Sequence, residues 1–324
     1  MPNFLSAIRR YAPAFGLLLL APWVGEFLLG TSPIQNLAAA LVLLLPMYGG
    51  GALLIREVTR RAGRGWPTLL ILGAAYGVIE ACLIDQSLFN PSFFDMDSKK
   101  IAPIPLVGVN AYDSLAYIGG HAIWSIGVPI AIIELFTPSR RKVPWLGKKG
   151  LFITAILYLI GCAIVFSFSY IEEKFIASSV QLTSSAFIVV GLITTGFLLK
   201  RKNRATYKPG ALIKPLYLGI GSFAVSSLYF AKPENWGGVT LGVFILIVSW
   251  LLISRWSSHL NWGIWHHFAL VAGALLTYAW GGFFMTWILW PNDKVAWMGN
   301  VIFALLAIAL LSILAKRIRN VPEF

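Results

Sequence analysis

Glu80 and His121 are the side chains whose type and setting could do chemistry. Glu80 lies in "YGVIEACLIDQSLFNP" (76–91) and His121 in "GGHAIWS" (119–125), each inside a long apolar segment. A carboxylate beside an imidazole supplies a general base and an orienting donor, a pair that can activate water. The same pair can bind a proton or a cation. An ionisable group deep in an apolar segment is costly, and by default it marks a functional site. Glu26 and Asp85 are secondary candidates, nearer the ends of their segments.

These residues must be positioned by membrane-spanning helices. The chain has 324 residues, 58% hydrophobic and 12% charged, where a soluble domain carries about a quarter charged residues. The apolar residues fall in blocks of roughly 20, the length that crosses a hydrocarbon core of about 30 Å. A β-barrel would need alternating strands of about 10 residues. The expected fold is therefore all-α, one polytopic helical bundle over 1–324.

Ten apolar spans are legible: 11–30, 34–55, 66–88, 113–137, 150–170, 178–199, 211–231, 236–254, 262–290 and 296–315. The first four (11–137) hold the polar candidates; the last six (150–315) form a more apolar half. Net charge is +13, but the basic residues sit in short runs between spans, as topology signals do, which argues against nucleic acid as a partner. With the N-terminus inside, 21 of 26 basic residues fall on the inner side. This predicts both termini cytoplasmic. The N-terminal segment is basic and then apolar, without a clean cleavage site, and reads as a retained first helix. Basic residues and short loops suit a bacterial cytoplasmic membrane.

Depth follows from the 1.5 Å rise per residue. Glu80 and His121 each lie about 12 Å below the outer edge. Glu26 shares their layer from the first span, Gln35 and Asn36 open the second span at similar height, and Asp85 sits just above. Gly73, Gly77 and Glu80 share one face of the third span, a small-residue face that aims Glu80 at another helix. Asp85 is about 140° round from Glu80 and is expected at the aqueous boundary. Glu57 and Glu134 fall among arginines and read as interfacial ion pairs.

Other features carry less. Cys82 and Cys162 read as buried thiols, with no disulfide or zinc pattern. His266 and His267 point about 100° apart and read as interfacial. Gly49, Gly50 and Gly51 suit close helix packing. The long outer loop 89–112, with three prolines and Asp95, Asp97, Lys99 and Lys100, reads as a lid over an outward pocket. No cofactor or metal motif is legible.

"Glu80-Ala81-Cys82-Leu83-Ile84-Asp85" followed by "His121-Ala122-Ile123-Trp124-Ser125" resembles the CAAX-protease and bacteriocin-processing family of glutamic intramembrane proteases. That family carries Glu-Glu-x-x-x-Arg on one helix and His-x-x-x-Asn or Asp on a later one, often as His-Ala-x-Trp. The resemblance covers about 60 residues. It implies that Glu80 and His121 activate water for cleavage of a membrane-embedded or extracytoplasmic peptide. Ala81 stands at the second glutamate, Asp85 at the arginine and Ser125 at the asparagine. The Phe-x-x-x-His motif has no match.

Two other classes compete. Ten spans divide as five plus five, which suits a secondary transporter with inverted halves. A non-catalytic partner, such as an assembly factor or immunity protein, would need only the apolar bundle.

Overall fold

The computed structural model describes residues 4–93, 101–199 and 212–320. Within them lie ten helices, each overlapping one of the ten apolar segments. The first, α1, runs Phe4–Pro22 and continues through a π-helical turn at Trp23–Phe27. There follow α2 (Ile34–Arg61), α3 (Trp66–Ile84), α4 (Ala111–Phe136), α5 (Lys148–Glu173) and α6 (Ser179–Leu198). Then come α7 (Pro215–Phe230), α8 (Trp236–Trp256), α9 (Ile264–Leu289) and α10 (Lys294–Arg319). Eight of these are long and apolar enough to cross a membrane; α7 is a shorter apolar helix. A two-residue antiparallel pair, β1 (Pro103–Ile104) with β2 (Val109–Asn110), precedes α4.

Capping side chains define several starts. The Asn110 side chain accepts from the Tyr112 and Asp113 N–H groups at the head of α4. Ser178 and Gln181 form a reciprocal capping box at α6, which satisfies two N–H groups that a helix start leaves open.

Burial separates an inner from an outer layer. Helices α5, α6 and α8 expose most of their apolar residues. In water such faces would aggregate; against lipid tails they are solvated. Helix α4 is central, packing on α1, α2, α3, α8, α9 and α10. Trp124 anchors it to α9: its indole stacks on Tyr278 with ring centres 4.5 Å apart, and its Nε1–H donates to Ala274 O at 2.7 Å.

At the arginine-rich end of the bundle the structure corrects one reading. Glu57 and Glu134 do pair with arginines, as expected, but within a buried network rather than on a solvated surface. Arg56 reaches Glu57 at 3.0 Å and Glu134 at 3.1 Å, and Arg60 reaches Glu134 at 2.7 Å. Arg56 and Glu57 are fully buried. Glu57 also accepts from the backbone N–H groups of Trp145 and Leu146, and Arg56 donates to the carbonyls of Arg140, Arg141 and Val143. The Arg56 guanidinium lies 3.3 Å from the Trp145 ring centre. Every charge is paired or hydrogen-bonded, the condition for burying ions without a large desolvation loss. The physical reason for the difference is the loop 137–147, which folds back over the helix ends and removes them from water.

Candidate functional site

The face bearing Gly73, Gly77 and Glu80 meets α4, as their spacing implies. A Cβ on Gly73 would stand 3.0 Å from Ala122 Cα, and one on Gly77 2.9 Å from Ile118 Cα. The backbones therefore cross in near contact, which only glycine allows. One turn beyond that crossing, Glu80 Oε2 lies 2.7 Å from His121 Nε2. The other imidazole nitrogen, Nδ1, is 3.0 Å from Ser125 Oγ. Ser125 thus makes the polar contact that steadies the ring.

The other two helices add a second carboxyl. The Tyr48 hydroxyl of α2 donates a short hydrogen bond to Glu26 Oε1 of α1 and lies 3.2 Å from Glu80 Oε1. Thr31 Oγ1 donates to Glu26 Oε2 at 2.5 Å. A continuous string results: Thr31, Glu26, Tyr48, Glu80, His121, Ser125. A tyrosine hydroxyl has one proton to give, so it bridges the two carboxyls and couples their protonation. Tyr48, Tyr76 and His121 pack edge to face, with ring centres 5.7–5.9 Å apart, and wall the site from below. Glu80 is buried, while Glu26 and the His121 side chain keep partial exposure.

Each contributing helix is locally π-helical at this level: Trp23–Phe27 holds Glu26, Leu45–Gly49 holds Tyr48, Ile79–Ile84 holds Glu80, and His121–Gly127 holds His121 and Ser125. Such turns are rare and concentrate at functional sites. Proline explains most of them. Pro22 precedes the first, Pro46 lies in the second and Pro129 follows the fourth, and each removes a donor from the regular ladder. The α3 turn has no proline. It lies where the helix ends at Gln86, whose φ of +58° turns the chain aside.

The remaining candidates fall elsewhere. Asp85 is half-buried and closes α3, its Oδ1 accepting from the Ser87 N–H at 2.9 Å. It stands beyond the hydrogen-bonded string. Gln35 lies apart from the string, donating to Asp293 Oδ2 at 2.5 Å. His266, in the first turn of α9, is buried, and its Nδ1 accepts from the Gly263 N–H. Cys82 and Cys162 are buried and free. Among the described residues no group of His, Cys, Asp or Glu has metal-site geometry. Asp95, Asp97, Lys99 and Lys100 of the expected lid lie outside the described residues. The described part of that loop is tied to α5 and α6 through Asn90 to Glu173 and Gln181 to Val107 O, and just before it Gln86 Oε1 accepts from the Ala177 N–H of the α5–α6 connection.

Tyr48, Tyr76 and Thr31 were not legible as site residues. A tyrosine is unremarkable in an apolar span, and the one available signal was Pro46 beside the glycine run. The helical bundle with its lipid-facing outer layer defines a multi-pass integral membrane protein. The family comparison gives the narrower identity: the chain belongs to an uncharacterized membrane protein family, whose model matches residues 17–316. No curated protein and no solved structure matches it.

Proposed function

We propose that the chain is an intramembrane peptidase-like hydrolase with its site in the outer half of the bilayer. The observation that carries this reading is the Glu80–His121 contact with Glu26 delivered beside it through Tyr48. A glutamate intramembrane protease needs a base and a second acidic group, and Ala81 removes the second glutamate from the helix where the resembled family keeps it. Here Glu26, from another helix, supplies that carboxyl. Glu80 takes a proton from water as the water oxygen attacks a peptide carbonyl. The C–N bond then breaks, and the proton held on Glu80 passes to the leaving amine nitrogen. With the Tyr48 proton held by Glu26, the donor for the oxyanion is the His121 N–H that faces Glu80, once Glu80 has taken the water's proton. The substrate class is a membrane-embedded or extracytoplasmic peptide.

A second reading rests on the length of the string. Six polar groups in hydrogen-bonded sequence, five on four helices and Thr31 in the α1–α2 connection, can hold and pass a proton, as an ion-coupled transporter requires. Against it, every titratable member comes from α1–α4, whereas a site between inverted halves draws on both. The test compares the parent with E80Q and H121A in proteoliposomes, following cleavage of envelope peptides and proton-driven cation uptake. Peptide cleavage lost in both variants supports the hydrolase. Uptake lost in both, with no cleavage by the parent, supports the transporter. Parent-like behaviour of both variants in every assay rejects the site.

A further inference from the structure

The segment that leads into α4 carries an exposed apolar tip. Residues 101–110, "IAPIPLVGVN", hold no charge. Pro103–Ile104 and Val109–Asn110 pair as β1 and β2, and the turn between them leaves Pro105, Leu106 and Val107 on the surface. Leu106 is 94% exposed, more than any other large hydrophobic side chain among the described residues. The tip is fixed from two sides. Within it, the Val107 and Gly108 N–H groups donate to Ile104 O at 3.3 and 3.0 Å. From α6, Gln181 Nε2 donates to Val107 O at 3.2 Å. Gly108 makes that approach possible: its φ is +68°, and a Cβ there would stand 2.9 Å from Gln181 Nε2.

The bond to Gln181 sets the depth of the tip. Helix α6 has 20 residues and so spans about 30 Å, the thickness of the hydrocarbon core. Its open face is apolar, with Val180, Phe187 and Leu198 72–75% exposed. Both of its ends are polar: Ser178 and Gln181 form the capping box at one, and Arg64 donates to Leu199 O at the other. Helix and core therefore match in length, and Gln181 stands within a turn of the core's edge, at the end opposite the arginines. The tip that Gln181 holds stands at the same edge. We propose that the 103–110 hairpin is a membrane-dipping foot, with Pro105, Leu106 and Val107 inserted where the headgroups of that leaflet meet its acyl chains. A lone exposed leucine would need no explanation, but this one is flanked by two more apolar residues and is continuous with the lipid-facing side of α6. The backbone suits the place. Pro105 has no N–H, and two of the turn's other donors are spent on Ile104 O, so little is left unpaired as the tip leaves water. A second copy of the chain is the weaker occupant, because three residues offer far less than the roughly 800 Å² per partner of a stable interface. At the base of the hairpin Asn110 caps α4, and His121 lies about three turns along that helix. The foot thus ties the head of the helix that carries His121 to the bilayer surface. The inference does not depend on the hydrolase reading.

The test places a nitroxide on Leu106→Cys, and separately on Val107→Cys, in the full chain reconstituted in phosphatidylglycerol–phosphatidylcholine vesicles. Phe187→Cys, on the open face of α6, is the reference for hydrocarbon. Asn292→Cys, exposed between α9 and α10, is the reference for water. Cys82 and Cys162 are buried, and the unsubstituted chain gives the labelling background. Power-saturation EPR compares collisions with oxygen, which concentrates in hydrocarbon, and with a water-soluble nickel chelate present on both sides of the membrane. The expected result at Leu106 is loss of most of the nickel contact seen at Asn292, with oxygen contact raised toward that at Phe187. Val107 gives a second reading of the same shift. Nickel contact equal to that at Asn292 puts the tip in water and overturns the proposal. Spin–spin broadening at Leu106→Cys that disappears on dilution with unlabelled chain assigns the tip to a second copy, and overturns it as well.

Discussion

His121 Nε2 stands 2.7 Å from Glu80 Oε2 across the glycine crossing of α3 and α4. If this contact does the chemistry, E80Q and H121A lower turnover by about 10²–10⁴-fold, the usual worth of a positioned acid–base group. Apparent thermal midpoints should move far less than turnover. Equal loss of stability and activity would instead assign the pair to packing.

Tyr48 separates two roles for Glu26. Tyr48→Phe keeps the ring and removes the hydroxyl that joins the two carboxyls. The expected outcome is a changed pH profile of turnover, because the coupling between the carboxyls is lost. Glu26→Gln should change the same profile. A parent-like profile in both variants excludes Glu26 from the site's chemistry.

Gly77→Ala tests the crossing itself. The new Cβ would meet Ile118 Cα at 2.9 Å and His121 Cβ at 3.2 Å. Overpacking of this kind costs about 1–3 kcal/mol. A displacement of about 1 Å at the reacting groups can cost 10²-fold in rate. Denaturation and turnover measured on one preparation should therefore both fall, with turnover falling further.

At the opposite end, Glu134→Ala leaves Arg56 and Arg60 buried without their shared carboxylate. Breaking such a pair costs about 3–5 kcal/mol. The expected readout is a marked drop in thermal midpoint and faster proteolysis of the 137–147 loop.

Lys232, in the α7–α8 connection, is buried between Tyr112 and Tyr229, with its Nζ 4.3 and 4.7 Å from their ring centres. Burial pushes its pKa down to about 8 from 10.5, against the opposing pull of Asp113 and Glu234. Between those values the unfolded chain binds more protons than the native one, so this group makes stability rise with pH from about 8 to 10.5. Below that window the cost of burying the charge is fully present. Subtracting a Lys232→Met thermal scan from the parent's should isolate this rise. A flat difference removes the claim.

What could be read beforehand divides along physical lines. The helices were legible because apolar run length is set by bilayer thickness. The α3–α4 contact was legible because Gly73, Gly77 and Glu80 keep helical spacing through one face. Tyr48 was hidden because a neutral tyrosine violates no rule of an apolar span. The buried Arg56–Glu57–Glu134 network was hidden for the opposite reason: arginines at span ends are expected as topology signals, and nothing local tells a solvated arginine from one covered by a loop. Glu26 was legible as a polar residue of the first span, but its partner depended on how α1 and α2 rotate, and Pro22 and Pro46 alter that rotation at the site.

The aligned π-helical turns carry a consequence for how this family can vary. Each acts as a one-residue phase slip, so the segments on its two sides belong to different helical registers, offset by about 100°. Deleting one residue from such a turn would leave the helix on one side of it in place and swing the portion on the other side away from its neighbours. Homologous chains that lack the polar string should therefore align with single-residue gaps at these turns, rather than with substitutions alone. The site would then be gained or lost by counting residues as well as by exchanging them.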